Sequence, residues 1–311
     1  MLRRTFALAS IAFALSMFAA TEPLAVVLPQ RTFVASFGND GNPCSLTLPC
    51  RGFAAAVAQT ISGGEVIVLD SAGYGPVTIA QSVSIIAPAG VYAGISVPAS
   101  GTGVAIIGAG INVVLRGLTI NSTGGSYGIR MTNGSELTVE NCVISNFNNF
   151  GLSIETAATV NIAETAIRDN LYGIVAGFGA TANITNSQVI KSGFEGIEIF
   201  GGPPSTTTSI FIADTLVTGS GAGGSTYCID NYAIAGATGN ISATRVMVTG
   251  CTYAIYNEPS GAGTMTVSNS MISGNAYAFL QQTGTFNSLG NNHLSENTNP
   301  NVGTITLIGG Q

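Results

Sequence analysis

The sequence predicts an all-β solenoid, in which short parallel strands stack coil upon coil. Three observations carry this. Only 8% of the 311 residues are charged, against about 25% in an ordinary globular domain. There are 41 glycines, about twice the usual share. And one short pattern recurs along about half of the chain. Apolar residues make up 46%, so material for a core is ample and disorder is excluded. The Ala/Glu/Lys/Leu/Arg signature of helical bundles is missing. A formal net charge of −6 leaves no basic footprint for nucleic acid.

Residues 1–25 read as an export signal. Arg3 and Arg4 precede an apolar run from Thr5 to Ala20. That run is short for a membrane span, which needs roughly 20 residues, and suits a signal core. Cleavage is expected within 20–25, leaving a single domain over 26–311 and a destination that is periplasmic, cell-surface or extracellular. No later stretch is apolar enough to span a bilayer. An oxidising destination allows disulfides. Cys44 and Cys50 flank a short loop bounded by Pro43 and Pro49 and read as a local disulfide. Cys228 and Cys251 lie 23 residues apart, close to the repeat period, and are candidates to face each other on neighbouring coils. Cys142 is left over as a buried, inert thiol, with no histidine placed to activate it.

The repeat reads apolar, any, Asn/Asp/Glu, small, any, Ile/Val. Copies start at Leu115, Val139, Ile162, Ile184, Ile212, Ala243 and Val267, spaced 24, 23, 22, 28, 31 and 24 residues apart. A second segment follows most copies: Gly128-Ile129, Gly151-Leu152, Gly173-Ile174 and Gly196-Ile197, then Ala254-Ile255 and Ala278-Phe279 with alanine in place of glycine. Alternate residues of a strand point to opposite faces, and no single coil can bury its apolar side. Stacking at about 4.8 Å closes a continuous core. The Asn/Asp column suits bends in the left-handed region, and the glycines are expected to supply positive-φ turns. Irregular N-terminal coils are expected over 65–115, regular coils over about 113–285, a closing strand at Thr304–Ile308, and protruding loops at Gly201–Thr208 and Gly219–Thr226.

Together with Arg31-Thr32-Phe33-Val34, Asn42-Pro43-Cys44 followed by Pro49-Cys50, and an amphipathic helix near Phe53–Ile61, this repeat resembles the right-handed parallel β-helices of the pectin-lyase-like superfamily, over roughly residues 31–297. The resemblance implies a single-stranded, right-handed parallel β-helix with a short N-terminal capping helix, in a cap of about 44–64. A cap protects the first open sheet edge. The superfamily contains polysaccharide lyases, hydrolases and esterases. The clustered aspartates and Gly-His-Gly of its hydrolases do not occur here. Asp40, Asp70, Asp169, Asp214 and Asp230 are scattered rather than grouped as calcium ligands.

The expectation is therefore an exported structural or glycan-binding module without catalysis. The alternative is a polysaccharide lyase or glycoside hydrolase. For it, Arg130, Glu155 and Glu198 are the candidate residues, pointing outward by alternation. Two carboxylates some 5–10 Å apart could act as acid and base, whereas the plainer reading is surface charge with a local arginine–carboxylate pair. Tyr127, Phe150, Tyr172, Tyr253 and Tyr277 form an aromatic column, with Phe194 one place off. It either packs on itself or stacks on sugar rings. Val143, Leu216, Met247 and Met271 form an outward apolar column that suits a protein partner or a covering loop. His293 has no neighbouring ligand residue, and no phosphate-binding glycine loop occurs, so neither metal nor cofactor is expected.

Overall fold

The computed structural model describes residues 28–219 and 226–309. The leader expected over 1–25, and residues 220–225 of the Gly219–Thr226 insertion, lie outside the described residues. The chain winds into three parallel sheets of twelve, ten and ten strands. Every strand inside a sheet pairs with its equivalents one coil before and after, so the inner coils' backbone polar groups are satisfied by their neighbours.

Each sheet presents apolar rows inward. On the first sheet, Val66 aligns through Ile85, Leu115, Val139, Ile162, Ile184 and Ile212 with Ala243 and Val267. On the third, Ile129, Leu152, Ile174, Ile197, Ile229, Ile255 and Phe279 align in the same way. All of these are buried. They are the repeat's apolar positions, so the core is one column running the length of the solenoid.

The bend between the first and second sheets follows the Asn/Asp column. Asn141, Glu164, Asn186, Asp214, Arg245 and Asn269 all have φ between 47° and 51°. Arg245, the odd residue in that column, makes a bidentate pair with Asp214 one coil away, at 2.7 Å for each bond. The small position after it is a hydroxyl column. The Cys142, Thr165 and Ser187 amides donate to the hydroxyls of Thr165, Ser187 and Thr215 respectively on the next coil. Small size alone did not reveal this role, which satisfies amides at a corner where the ladder is interrupted.

The glycines that open the third-sheet strands do not serve as positive-φ turns. Gly128 and Gly173 have no left-handed backbone; instead, a Cβ on either would lie 2.4 Å from the carbonyl oxygen of the next coil. Close approach of stacked backbones, rather than turn geometry, requires glycine there.

The helix Phe53–Gln59 buries Phe53, Ala56 and Val57 over the first coil. Its end is tied down where the Thr32 and Thr60 hydroxyls hydrogen-bond at 2.7 Å. Strand Arg31–Val34 is the outermost of the twelve-stranded sheet. The Cys44–Cys50 disulfide closes the loop beside it, and Cys228–Cys251 joins two neighbouring coils. Cys142 is free and buried, and burial pushes its thiol up to about 11. The coils run beyond the expected limit of 285, through His293–Ser295 and Asn299–Val302 to the closing strand Ile305–Leu307. In the Gly201–Thr208 loop, Pro203–Ser205 and Thr207 are exposed, and strand structure resumes at Thr207.

Candidate functional site

The outward row of the third sheet runs Arg130, Ser153, Val175, Glu198, Asp230, Tyr256, Leu280 in strict register. The same strands carry the aromatic column at their entry corner. Tyr127, Phe150 and Tyr172 stack with centroids 5.2 and 4.8 Å apart. Tyr227, Tyr253 and Tyr277 stack at 4.8 and 5.2 Å. Between the two stacks the register position belongs to Glu195, which aligns with Tyr172 on one side and Tyr227 on the other. Phe194, one place earlier, bridges the gap edge-on at 5.6 and 5.5 Å. The column is thus a continuous ring ladder, with a carboxylate inserted at its middle.

Beside that insertion lies a cleft of about 300 Å³. Its floor is Glu198 and Asp230. One wall is the ladder segment Tyr172, Phe194 and Tyr227, with Glu195 at its foot. At the other ends of the same strands, Phe200 and Tyr232 stack at 5.9 Å and stand half-exposed. Glu258 closes the side toward the C-terminus. Strand alternation dictates this layout: residues 198 and 230 face out between aromatic positions at either end of their strands.

The floor is unusual in charge. Glu195, Glu198 and Asp230 are 6%, 3% and 2% exposed, and the cleft lining contains no lysine, arginine or histidine. Burial, then the hydrogen bond and charge of Glu195, push the Glu198 carboxyl up to about 11. It is therefore the neutral acid of the group at pH 7 and donates to the Glu195 carboxylate. Burial also raises Glu195, against the lowering effect of that hydrogen bond. Asp230 is raised well above the usual carboxylate range by burial and by the charges of Glu195 and Glu258. One oxygen of Glu195 and one of Asp230 have no hydrogen-bond partner among the described residues. A buried acceptor left open costs about 1–3 kcal/mol. Tyr256 stacks on Tyr227 and Tyr253, and its hydroxyl reaches Glu258 and Gln282. Among the described residues, no three His, Cys, Asp or Glu side chains are placed to hold a metal ion.

The expected set of Arg130, Glu155 and Glu198 is not brought together. Arg130 Nε and Nη2 donate to the two Glu155 oxygens at 2.8 and 2.9 Å. The Arg130 guanidinium also lies 4.7 Å from the Tyr127 ring centroid. That bonding holds the Glu155 carboxyl below its usual range. Register places Glu198 two coils beyond Ser153, against Asp230 and Glu195 instead. Asp230, which in sequence is one of five scattered aspartates, stands beside Glu198 in register. Cys228-Ile229-Asp230 is a copy of Gly196-Ile197-Glu198, and that alignment was the available signal. Glu258 carried no signal, because its place depends on the corner that follows Asn257.

The outward apolar column lies on the second sheet, aligned as Val143, Ala166, Gln188, Leu216, Met247, Met271 and His293. Met247 and Met271 are exposed and Val143 and Leu216 half-buried. It is a different face from the cleft. Among the described residues no helix is long and apolar enough to cross a membrane.

Residues 65–211 match the protein-family model described as right handed beta helix region. No curated protein matches the chain. Among solved structures, the pectate lyase Pel9A is 16% identical, with a TM-score of 0.65, covering 91% of this chain and 78% of its own. The alginate lyase from Paenibacillus sp. str. FPU-7 is 14% identical, with a TM-score of 0.53, covering 89% and 100%. At these identities the likeness shows the fold: a right-handed parallel β-helix.

Proposed function

We propose that this right-handed β-helix is an exported glycan-binding protein whose cleft on the third sheet receives sugar rings. The observation that carries the reading is the pairing of ring faces with buried acids. The faces of Phe200 and Tyr232 stand exposed beside carboxyl groups that lack partners, and sugars combine apolar ring faces with hydroxyl donors in that arrangement. The leader-like residues 1–25 and the two disulfides support export. The similar solved structures named as pectate and alginate lyases add support for a polysaccharide ligand.

The cleft lining offers no lysine, arginine or histidine to pair with the carboxylates of uronate polymers, which argues against them. Isothermal titration of the mature protein with neutral and amino-sugar oligosaccharides tests the reading. Binding weakened at least tenfold by Tyr232→Ala is expected. Absence of binding to every oligosaccharide class would end it.

Hydrolysis is a second reading, supported by one observation. A protonated Glu198 is the register partner of Asp230 on the next coil, so two carboxyl groups share one face as an acid and a base would. Release of reducing ends, abolished in Glu198→Gln, tests it; release undiminished in that variant would remove Glu198 as the acid.

A further inference from the structure

We infer that the cleft selects a sugar carrying a free ammonium group, such as a glucosamine unit of a deacetylated glycan, held between the Glu198–Asp230 floor and the flanking aromatic rings. The inference rests on the glycan reading above and names the class of sugar.

The argument begins with charge. Glu195, Glu198, Asp230 and Glu258 face the same space, and no lysine, arginine or histidine lines it. Elsewhere on the protein, four acids pair with a cation on a neighbouring coil: Glu65 with Arg31, Glu140 with Arg116, Glu155 with Arg130, and Asp214 with Arg245. The buried carboxyl groups of Glu195, Glu198 and Asp230 have no counter-ion in the cleft lining. Asp230, only 2% exposed, keeps an oxygen with no partner among the described residues. A ligand cation with N–H donors would supply both the missing charge and the missing hydrogen bonds.

The surroundings narrow the class of cation. Ammonium groups are attracted to ring faces, and the cleft has them at both ends of its strands. No three ligating side chains are placed for a metal ion among the described residues. The cleft, about 300 Å³, has room for a ring as well as a charge. Phe200 and Tyr232 offer that ring an exposed stacking surface.

Proton linkage follows. The Glu198 carboxyl holds a proton because burial and the neighbouring acids disfavour its charged form, and burial and neighbouring charge raise Asp230 as well. An ammonium beside them reverses that balance, so binding at neutral pH releases protons. The other titratable groups facing the site are the phenols Tyr172, Tyr227, Tyr232 and Tyr256. Burial raises the phenols of Tyr172, Tyr227 and Tyr256, so they do not supply the released proton.

The test is isothermal titration at pH 7 in two buffers of different ionisation enthalpy. The ligands are a glucosamine trisaccharide, its N-acetylated counterpart, spermidine and calcium chloride. The inference expects the glucosamine trisaccharide to bind at least tenfold tighter than the N-acetylated one, with net proton release. Asp230→Asn and Glu198→Gln are expected to bring the two trisaccharides within about twofold of each other. Both variants remove a buried ionisable group isosterically, and a thermal melt checks that they fold. Equal binding of the two trisaccharides would overturn the inference and leave the glycan reading standing. Spermidine or calcium binding as tightly as the amino sugar would overturn it in favour of a simple cation site. No binding by either trisaccharide would overturn both.

Discussion

Glu198 and Asp230 are register partners on adjacent coils, both outward-facing and both almost fully buried, with no cation in the cleft they share. Stacking in a solenoid repeats whatever occupies a position, so an acid placed above an acid is forced into contact at about 4.8 Å. The outward row holds other residue types on either side, Val175 before and Tyr256 after. The acidic pair is therefore local.

The pair makes stability fall with rising pH. The folded-state value of Glu198, about 11, lies above the ordinary carboxylate value of 4.5. A group raised on folding contributes stability that is complete below its unfolded value and is lost as pH rises toward the folded one. The unfolding free energy is thus expected to fall from pH 5 to pH 9, at a rate approaching about 1.4 kcal/mol per pH unit for Glu198, and the melting temperature falls with it. Glu198→Gln is expected to flatten the curve. Thermal melts across that range check it, and an unchanged slope would show that Glu198 ionises normally.

The aromatic positions divide between packing and exposed surface. Phe150 is sandwiched between Tyr127 and Tyr172, so Phe150→Ala is expected to cost about 2–4 kcal/mol in unfolding free energy. Phe200→Ala, which removes a half-exposed ring, is expected to cost less than about 1 kcal/mol while weakening oligosaccharide binding. Chemical denaturation beside titration calorimetry separates the two roles.

Gly173 is expected to tolerate no side chain. A Cβ there meets the Gly196 carbonyl oxygen at 2.4 Å and a Val189 methyl at 2.6 Å. Gly173→Ala should destabilise by about 1–3 kcal/mol through overpacking, read as a lower denaturation midpoint. A neutral or stabilising result would mean that the coils can separate locally at no cost.

Arg130→Ala is expected to cost no more than about 1 kcal/mol, since the Arg130–Glu155 pair is partly exposed and screened. Glycan affinity in the cleft is expected to stay within twofold of the parent. A tenfold loss would return Arg130 to the binding site and enlarge the site by two coils.

Particular residues show how much of this was legible in sequence. The repeat positions Val139, Ile162 and Ile184 specified the inward row, and the Asn/Asp column specified the left-handed bends, because both depend on local backbone preference and strand alternation. The Glu195 insertion was visible as an aromatic column broken at one place. Its consequence was not, because a 28- and a 31-residue spacing obscured which residue of the next coil would meet Glu198. The Cys228 substitution hid the strand that answers this.

The sequence by itself determined the periodicity, and through it the solenoid, the shared core and the outward direction of Arg130, Glu155 and Glu198. Alternation and repeat length are local properties, readable from one coil at a time. Only the tertiary structure decided that Glu155 belongs to Arg130 and Glu198 to Asp230 and Glu195. Those partnerships are set by register between coils and by the depth at which each carboxyl is buried. Both are properties of the stack, and the same residue type is a screened surface charge on one coil and a protonated acid two coils on.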